Sequence, residues 1–348
     1  MLLMAACANQ DVGEEQAGKI KLTWSAEEAS LFPAKGGLTH AEDGVVLPDG
    51  RLLVGDYEHG LITIAPDGAL EPFGDFAAAG FQNGAHPQHG GPNGITFEPD
   101  GRHVLVADIF TGSLYRVDTQ SRAVTRIYDH PFGINAVVRD RTGAIWFTQS
   151  TENSAGTNSE GRMFAAVDKP LGDGAVYRIA PDQLGKLNPA AELKVSSLDF
   201  ANGIAIDEVR GTLYVDELMA NRVLAFAVDT QTGTLSSRRT LAEIPTPDNI
   251  EVDADGRLWV ASPISNSLFV IDSGTGKKTS AFAPTPSKND ALRQEFNRRL
   301  ANGESTLELI GPPMWGPMPG LLTGVILSPD DGPVYIAGLG AALVKLDR

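Results

Sequence analysis

The chain has a single cysteine and far fewer basic than acidic side chains. One cysteine excludes an internal disulfide bond. With 28 Lys and Arg against 44 Asp and Glu, the formal net charge is −16, which argues against a nucleic-acid or anionic-membrane partner because phosphate would be repelled. No apolar stretch approaches the length of a membrane span. The chain also lacks a Gly-x-Ser-x-Gly sequence, which argues against a serine-nucleophile mechanism.

What the chain does contain is a recurring hairpin pattern. A polar residue precedes an alternating apolar run, then an acidic turn with glycine, then a second β-rich run, which together predict strand, tight turn and strand. The copies are clearest at Asn202-Gly203 and at Asp248-Asn249. Six units have the leading polar residues Glu42, Asn93, Asn135, Asn202, Asp248 and Thr323. A unit of about 45 residues with several short strands predicts one all-β domain, a six-bladed β-propeller.

The first residues of the chain differ from the rest. The run Met1-Leu-Leu-Met-Ala-Ala-Cys7 resembles the end of a bacterial lipoprotein signal, and a small, polar and acidic stretch follows it. We therefore expect residues 1–18 to be a signal remnant and tether, with a lipid on Cys7 and a periplasmic or outer-membrane location. The alternative is a terminus without function. The propeller then covers 19–348, and we expect the segment around Ile20–Trp24 to pair into the blade that ends near Leu346 and close the ring.

Two long insertions and one glycine-rich loop are candidates for the walls of a site. The insertions are Gln149–Gly174 and Ala283–Gly320, and the second contains a predicted helix at 289–300 and a Pro- and Met-rich run around Trp315. We expect both to lie over the same mouth as Asn202, as an apolar lid or substrate wall. They could equally cap a blade. His86 and His89, in the loop 80–92, are either metal ligands or part of a surface loop.

The six leading residues should converge, because each begins the innermost strand of its blade. All bear oxygen, and Glu42 and Asp248 are carboxylates. Buried carboxylates are costly unless a partner compensates them, and a hard cation such as calcium binds carboxylate, amide and water oxygens. No leading residue is Cys or His, which disfavours zinc. A purely structural cation between the blades is the alternative.

These residues also carry a family resemblance. The stretches Asp199–Ile204, Tyr214–Leu218, Asp248–Asp253 and Leu258–Val260 resemble the paraoxonase (arylesterase/lactonase) family, and Glu42-Asp43 and Gly133–Asn135 agree with it. The whole chain is more loosely similar to the gluconolactonase/senescence-marker and strictosidine-synthase-like propellers. The resemblance implies a six-bladed propeller. It also implies one catalytic calcium held by Glu42, Asn135, Asn202, Asp248 and Asn249.

The chain departs from the paraoxonase pattern at two positions. Paraoxonases have a histidine where this chain has Asn93, so a histidine base at that position is excluded. Asp43 matches one ligand of their second, structural calcium, but Ala136 stands where another carboxylate would be. The gluconolactonase branch lacks that histidine, which moves the expected mechanism towards it.

The resulting expectation is a calcium-dependent hydrolase of lactones or related esters, with a small lactone or ester as its partner. The metal would polarise the carbonyl and a nearby water would attack. Asp248 is the candidate general base, and Asn93 and Asn135 are the candidates for orienting the substrate. The rival function is a non-catalytic periplasmic binding or scaffold module with a structural cation. A strictosidine-synthase-like condensation has no support beyond the shared fold.

Overall fold

The structure is a computed structural model that describes residues 21–348 apart from 157, 312–314 and 330. Its named strands form six antiparallel sheets of four strands each, so the predicted six-bladed propeller is confirmed. The predicted tether 1–18, Cys7 and Ile20 lie outside the described residues. No helix in the described part of the chain is long and apolar enough to cross a bilayer.

In five of the six blades the four antiparallel strands are consecutive in the chain, and the first of them lines the central channel. The first three blades are β2–β5 (Gly44–Val46, Leu52–Asp56, Gly60–Ile64, Leu70–Pro72), β6–β9 (Pro92–Phe97, His103–Asp108, Ser113–Asp118, Val124–Asp129) and β10–β13 (Val137–Arg139, Ile145–Gln149, Gly174–Ile179, Ala191–Leu198). The next two are β14–β17 (Ala201–Asp207, Thr212–Glu217, Arg222–Asp229, Thr234–Glu243) and β18–β21 (Ile250–Val252, Arg257–Ser262, Ser267–Asp272, Lys278–Phe282). The sixth blade combines β22–β24 (Leu322–Leu327, Val334–Gly338, Leu343–Leu346) with β1 (Ala29–Phe32).

The ring is closed by a strand other than the predicted one. In the sixth blade β1 pairs with β24, and Ala29 lies opposite Leu346 and Phe32 opposite Leu343. Trp24 instead forms a bridge to Phe282 in the fifth blade and donates its indole N–H to the Asp347 carbonyl at 2.7 Å. The prediction of an N-terminal closing strand is therefore confirmed, but its placement around 20–24 is wrong by several residues.

Helices occur in the two predicted insertions. The helix α1 (Ser159–Asp168) lies between the second and third strands of the third blade, and α2 (Pro286–Asn302) lies between the fifth and sixth blades. The predicted helix at 289–300 is thus confirmed. Single turns of 3-10 helix are found at Ala26–Glu28, Pro181–Gln183, Leu218–Ala220 and Leu307–Leu309.

The hairpin turns of two blades share one hydrogen-bonding device. Asp140 accepts a hydrogen bond from the Trp146 indole at 2.8 Å, and Asp253 accepts one from the Trp259 indole at 2.9 Å. Both carboxylates also accept backbone N–H groups of their own turns, as Asx turns do. Because both indoles are fully buried, these acidic turns fix the largest side chains of the core between neighbouring blades.

Candidate active site

Six polar residues form the bottom of a cavity at one mouth of the ring. They are the predicted leading residues, and each is buried: Glu42, Asn93, Asn135, Asn202, Asp248 and Thr323. We call this set the floor. The cavity above it holds ≈ 870 Å³, counted out to solvent. The convergence predicted from their repeat position is therefore observed, although the role of each residue stays a prediction.

Backbone contacts between blades hold the floor together. Gly94 donates its N–H to the Asn135 carbonyl at 2.8 Å, and Gly203 donates to the Asp248 carbonyl at 3.0 Å. A Cβ at Gly203 would lie 2.6 Å from that same oxygen. The Asn-Gly pairs thus lie within strands β6 and β14, where glycine allows the next blade to approach, and they are not hairpin turns.

Several floor oxygens have no hydrogen-bond partner among the described residues. They are Asn93 Oδ1, Asn202 Oδ1, Asp248 Oδ1 and Thr323 Oγ1. Asn135 differs, because its Oδ1 accepts from Asn93 Nδ2 at 3.1 Å, which leaves it one lone pair. Since buried polar atoms are almost always paired, a cluster of unpaired acceptors indicates a positively charged or donating partner. Such a set of carboxylate, amide and hydroxyl oxygens fits a hard cation such as calcium.

The electrostatics of the floor agree with this interpretation. Burial raises the pKa of Glu42 to about 8, and the neighbouring Asp43 charge contributes. Burial also raises the pKa of Asp248, and the charges of Glu42 and Asp216 raise it further. No lysine or arginine lines the cavity in the described part of the chain. The floor therefore contains carboxylates that need a cationic partner before both can be charged.

Asn249 occupies a different position from the other predicted ligands. It lines a second cavity in the channel below the floor, together with Asp43 and Glu251. Its amide Nδ2 lies 3.4 Å from the Glu42 carbonyl, and its Oδ1 has no partner among the residues described. Its ligand role stays a prediction, but its side chain lines the channel, whereas Asp248 lines the upper cavity.

A third carboxylate at this site, Asp216, was not predicted from the sequence. In the register between β14 and β15, Asp216 lies opposite Asn202-Gly203, where the ladder is irregular. Tyr214, two residues earlier, packs against the fifth blade, so Asp216 faces the same side, towards Asp248. Both of its carboxylate oxygens are buried without a described partner. The sequence signal was present in Tyr214-Val-Asp216, where an acid continues an alternating buried run.

His40, two residues before Glu42, was not predicted as a site residue either. Its Nε2 lies 3.7 Å from Glu42 Oε2, and its ring stacks on Tyr57 with centroids 4.1 Å apart. Burial, with a smaller contribution from the nearby His89, lowers the pKa of His40 to about 3, so the ring is neutral. His40 is thus a buried, neutral imidazole at the edge of the floor, and it lines the same cavity.

The histidine loop forms a rim beside this cavity. His86 is exposed, while the His89 ring contacts the edges of Tyr57 and Phe110 at centroid distances of 5.2 Å. The two histidines appear in no ligand-type cluster of described residues, and the surface-loop interpretation fits them better.

A separate group with metal-ligand character lies at the β6–β7 turn, formed by Glu98, Asp100 and His103. Arg116 Nε donates to Glu98 at 2.7 Å, and Arg139 Nη1 lies 2.9 Å from the same carboxylate. Because two guanidinium groups already neutralise Glu98, a cation there would have to displace them. The floor, which has no such counter-charge, remains the better candidate.

The two insertions cover the floor, as predicted. Met163, Phe164 and Val167 of α1 and Phe296 of α2 line the cavity. Trp315 packs against the apolar cluster that contains Phe296. The two insertions are joined where Asp168 accepts hydrogen bonds from Ser305 Oγ at 2.8 Å and from the Thr306 N–H at 2.6 Å. The apolar side chains of this cover lie over the same mouth as Asn202.

Comparisons with known proteins agree with this fold. The chain is 29% identical over 173 residues to a pentonolactonase of Haloferax volcanii, an alignment that covers 48% of this chain and 51% of that protein. Among solved structures it is similar to a gluconolactonase from Xanthomonas campestris (TM-score 0.60, 20% identity, 90% of this chain and 87% of the other). It is also similar to regucalcin, a calcium-binding protein from Agrobacterium tumefaciens (TM-score 0.59, 14% identity, 91% and 92%). At these identities, the structural likeness shows the fold alone.

The sequence relationship is narrower than the structural one. The chain spans about half the length of the pentonolactonase, or less for other curated relatives such as human regucalcin (40%). The pattern of the SMP-30/gluconolactonase/LRE-like region, however, matches residues 110–288, which is just over half of this chain. That stretch contains the floor residues Asn135, Asn202 and Asp248, and it also contains Asp216, which lies opposite Asn202. The gluconolactonase-like resemblance is therefore confirmed, and the chain belongs to the SMP-30/gluconolactonase/LRE-like family.

Proposed function

We propose that the protein is a calcium-dependent hydrolase of lactones or related esters. The observation that carries this proposal is the cluster of buried, unpaired oxygens on the floor, from Asn93, Asn202, Asp248 and Thr323. These oxygens and the Glu42 carboxylate face a cavity open to solvent. Family membership supports hydrolysis of a lactone, because the pentonolactonase and gluconolactonase named above are lactonases by name. The cation would be held by Glu42, Asn135, Asn202 and Asp248, with Asn249 from the channel side.

The bound cation would polarise the substrate carbonyl and stabilise negative charge on its oxygen. Asp248 would accept the proton of the attacking water. Burial and neighbouring carboxylates raise its pKa in the metal-free protein, and a bound cation would lower that pKa again, so that Asp248 is ionised and able to accept the proton. The amide of Asn93, fully buried beside Asn135, would orient the substrate. Water adds to the carbonyl carbon and the ring C–O bond breaks. The proton returns to the leaving oxygen, so one lactone and one water give one hydroxy acid.

A structural cation in a non-catalytic propeller is the second candidate. It would fill every coordination position with protein oxygens, whereas a catalytic ion needs a position open to substrate. The floor lies at the bottom of an open cavity, and this favours the catalytic role.

The test is a panel of lactones and aryl esters assayed with the calcium-loaded protein, with the chelated protein, and after calcium is returned. We expect turnover to vanish on chelation and to return with calcium, while circular dichroism shows that the chelated protein stays folded. Asp248→Ala should remain folded and inactive. Glu251→Gln is the matched control, because Glu251 is a nearby, half-buried carboxylate that lines the channel and not the cavity. Calcium-independent turnover would refute the metal role, and absence of all turnover in a calcium-loaded, folded protein would leave the structural cation.

Export with a lipid on Cys7 is a separate proposal that rests on the sequence alone. Metabolic labelling with a fatty-acid analogue, compared between the native chain and Cys7→Ser, tests it. Label that persists in the variant, or none in either protein, would contradict it.

A further inference from the structure

The side of the cavity differs in chemistry from its floor. Above the floor, the lining is almost wholly aliphatic and aromatic, and the two insertions supply much of it. We call the following side chains the wall: Phe110, Met163, Phe164, Val167, Phe296 and Ile310. The wall is part of a packed structure, because Phe296 and Ala166 are buried in one apolar cluster with Phe200 and Leu218 of the propeller.

The wall is held in place over the floor. The bonds from Ser305 and Thr306 to Asp168 join α1 to the segment after α2. The Thr306 hydroxyl also donates to the Val167 carbonyl at 3.1 Å. The apolar surface is thus fixed above the reacting position, so a substrate bound at the floor must place the rest of its structure against the wall.

Two substrate chemistries make opposite demands on such a cavity. A polyhydroxylated sugar lactone needs a hydrogen-bond partner for each hydroxyl that leaves water, and an unpaired buried hydroxyl costs binding. The described polar side chains that line the cavity belong to the floor or lie beside it, as His40, Tyr57 and Thr246 do, and a cation would engage much of the floor. An alkyl substituent needs no partner and gains from the wall by leaving water.

We infer that the preferred substrates are lactones or esters whose ring or acyl group carries an apolar chain, and that sugar lactones are poor substrates. This inference rests on the proposed hydrolase function. The wall, to which the two insertions contribute every residue except Phe110, is the specificity-determining element. Burial of one methylene group contributes ~0.8 kcal/mol. Each methylene that contacts the wall should therefore raise kcat/KM about fourfold.

The experiment compares δ-lactones that share a ring and differ in its substituents. The probes are δ-valerolactone, δ-octanolactone, δ-decanolactone and glucono-δ-lactone, assayed with the calcium-loaded protein. We expect kcat/KM to rise with chain length and to be lowest for glucono-δ-lactone. Turnover of glucono-δ-lactone equal to or faster than that of δ-decanolactone would overturn the inference while leaving the hydrolase function intact.

A binding measurement separates this inference from the hydrolase function. The lactams piperidin-2-one, 6-pentylpiperidin-2-one and gluconolactam resemble the substrates and resist hydrolysis. Calorimetry should show that the pentyl lactam binds at least tenfold more tightly than the other two. Equal binding of all three would refute the inference even if every lactone were hydrolysed. Preference for the pentyl lactam without any turnover would retain the apolar site and reject the hydrolase.

A pair of variants tests whether the wall itself sets the preference. Phe164 is 39% exposed and lines the cavity, whereas Leu171 is 37% exposed in the same insertion and does not line it. Phe164→Ser should lower the ratio of δ-decanolactone to δ-valerolactone turnover by about tenfold, since it removes several buried carbons. Leu171→Ser should leave that ratio unchanged. If the two variants behave alike, the wall does not determine specificity.

Discussion

Calcium and protons should compete for the floor, and this competition gives a quantitative test of the metal site. In the metal-free protein, burial holds the pKa of Glu42 at about 8 and raises that of Asp248 well above its ordinary value. Below pH 8, Glu42 is therefore mostly protonated, and calcium must displace its proton in order to bind. Calcium affinity should therefore rise as the pH rises towards 8, and it should level off above the pKa of the last carboxyl that must ionise.

The size of the effect follows from the number of protons released. Well below its pKa, one displaced proton changes the association constant about tenfold per pH unit. Between pH 6 and pH 8, where Glu42 reaches its pKa of about 8, the affinity should therefore rise by about 50-fold if Glu42 alone releases one. A second proton from Asp248 would bring the change to about 10⁴-fold. Carboxylates with ordinary pKa values near 4 would give almost no change over this range.

Isothermal titration calorimetry checks both quantities. The association constant is measured at pH 6, 7 and 8, and titrations in buffers of different ionisation enthalpy count the protons released. Glu42→Gln, which cannot ionise, should bind calcium more weakly and release one proton fewer. A calcium affinity that is constant from pH 6 to pH 8, with no proton release, would refute the assignment of these carboxylates as ligands.

Three further predictions concern single side chains. Asp248→Asn should lower lactone turnover by at least about 10³-fold because it removes both a ligand charge and the base, and circular dichroism should show an unchanged fold. Asp216→Asn should raise the calcium dissociation constant about 10- to 100-fold, as loss of an outer carboxylate does at other metal sites; an unchanged constant in calorimetry would exclude Asp216 from the site. Asp253→Ala should lower the free energy of unfolding by about 1–3 kcal/mol in urea titrations, because it leaves the buried Trp259 indole N–H without its acceptor. Wild-type stability of that variant would show that water replaces the carboxylate.

The sequence predicted the propeller and the floor because both depend on position within a repeat. Once the hairpins are aligned, each leading residue occupies the same place in its blade, and ring closure brings these places together. Side-chain contacts are not needed to predict this convergence. For this reason Thr323, the least distinctive of the six residues, was predicted as readily as Asp248.

Features that depend on register between strands were harder to predict. Polar and apolar residues do not alternate regularly in the closing strand β1 (Ala29–Phe32), whereas they alternate in residues 19–24. Nevertheless, β24 pairs with β1. Which segment completes a blade depends on how the preceding chain packs, and Trp24 is held by the fifth blade instead. Asp216 was missed for a related reason, because its proximity to Asn202 arises from an irregular ladder between β14 and β15.

The position of Asn249 depends on the alternation of side chains along a strand as well as on its place in the repeat. Adjacent residues of an extended chain point to opposite sides, so Asp248 and Asn249 cannot both project into one cavity without a local irregularity. Asp248 lines the upper cavity, and Asn249 lines the channel with Glu251, two residues further on. A cation at the level of the floor would contact both only if it lay between the two cavities, at the boundary that these residues form. Asn249→Ala should then weaken calcium binding less than Asp248→Ala does, because it removes an amide oxygen from the far side and leaves the charge of the site intact. Equal losses in calorimetry would contradict this placement of the ion.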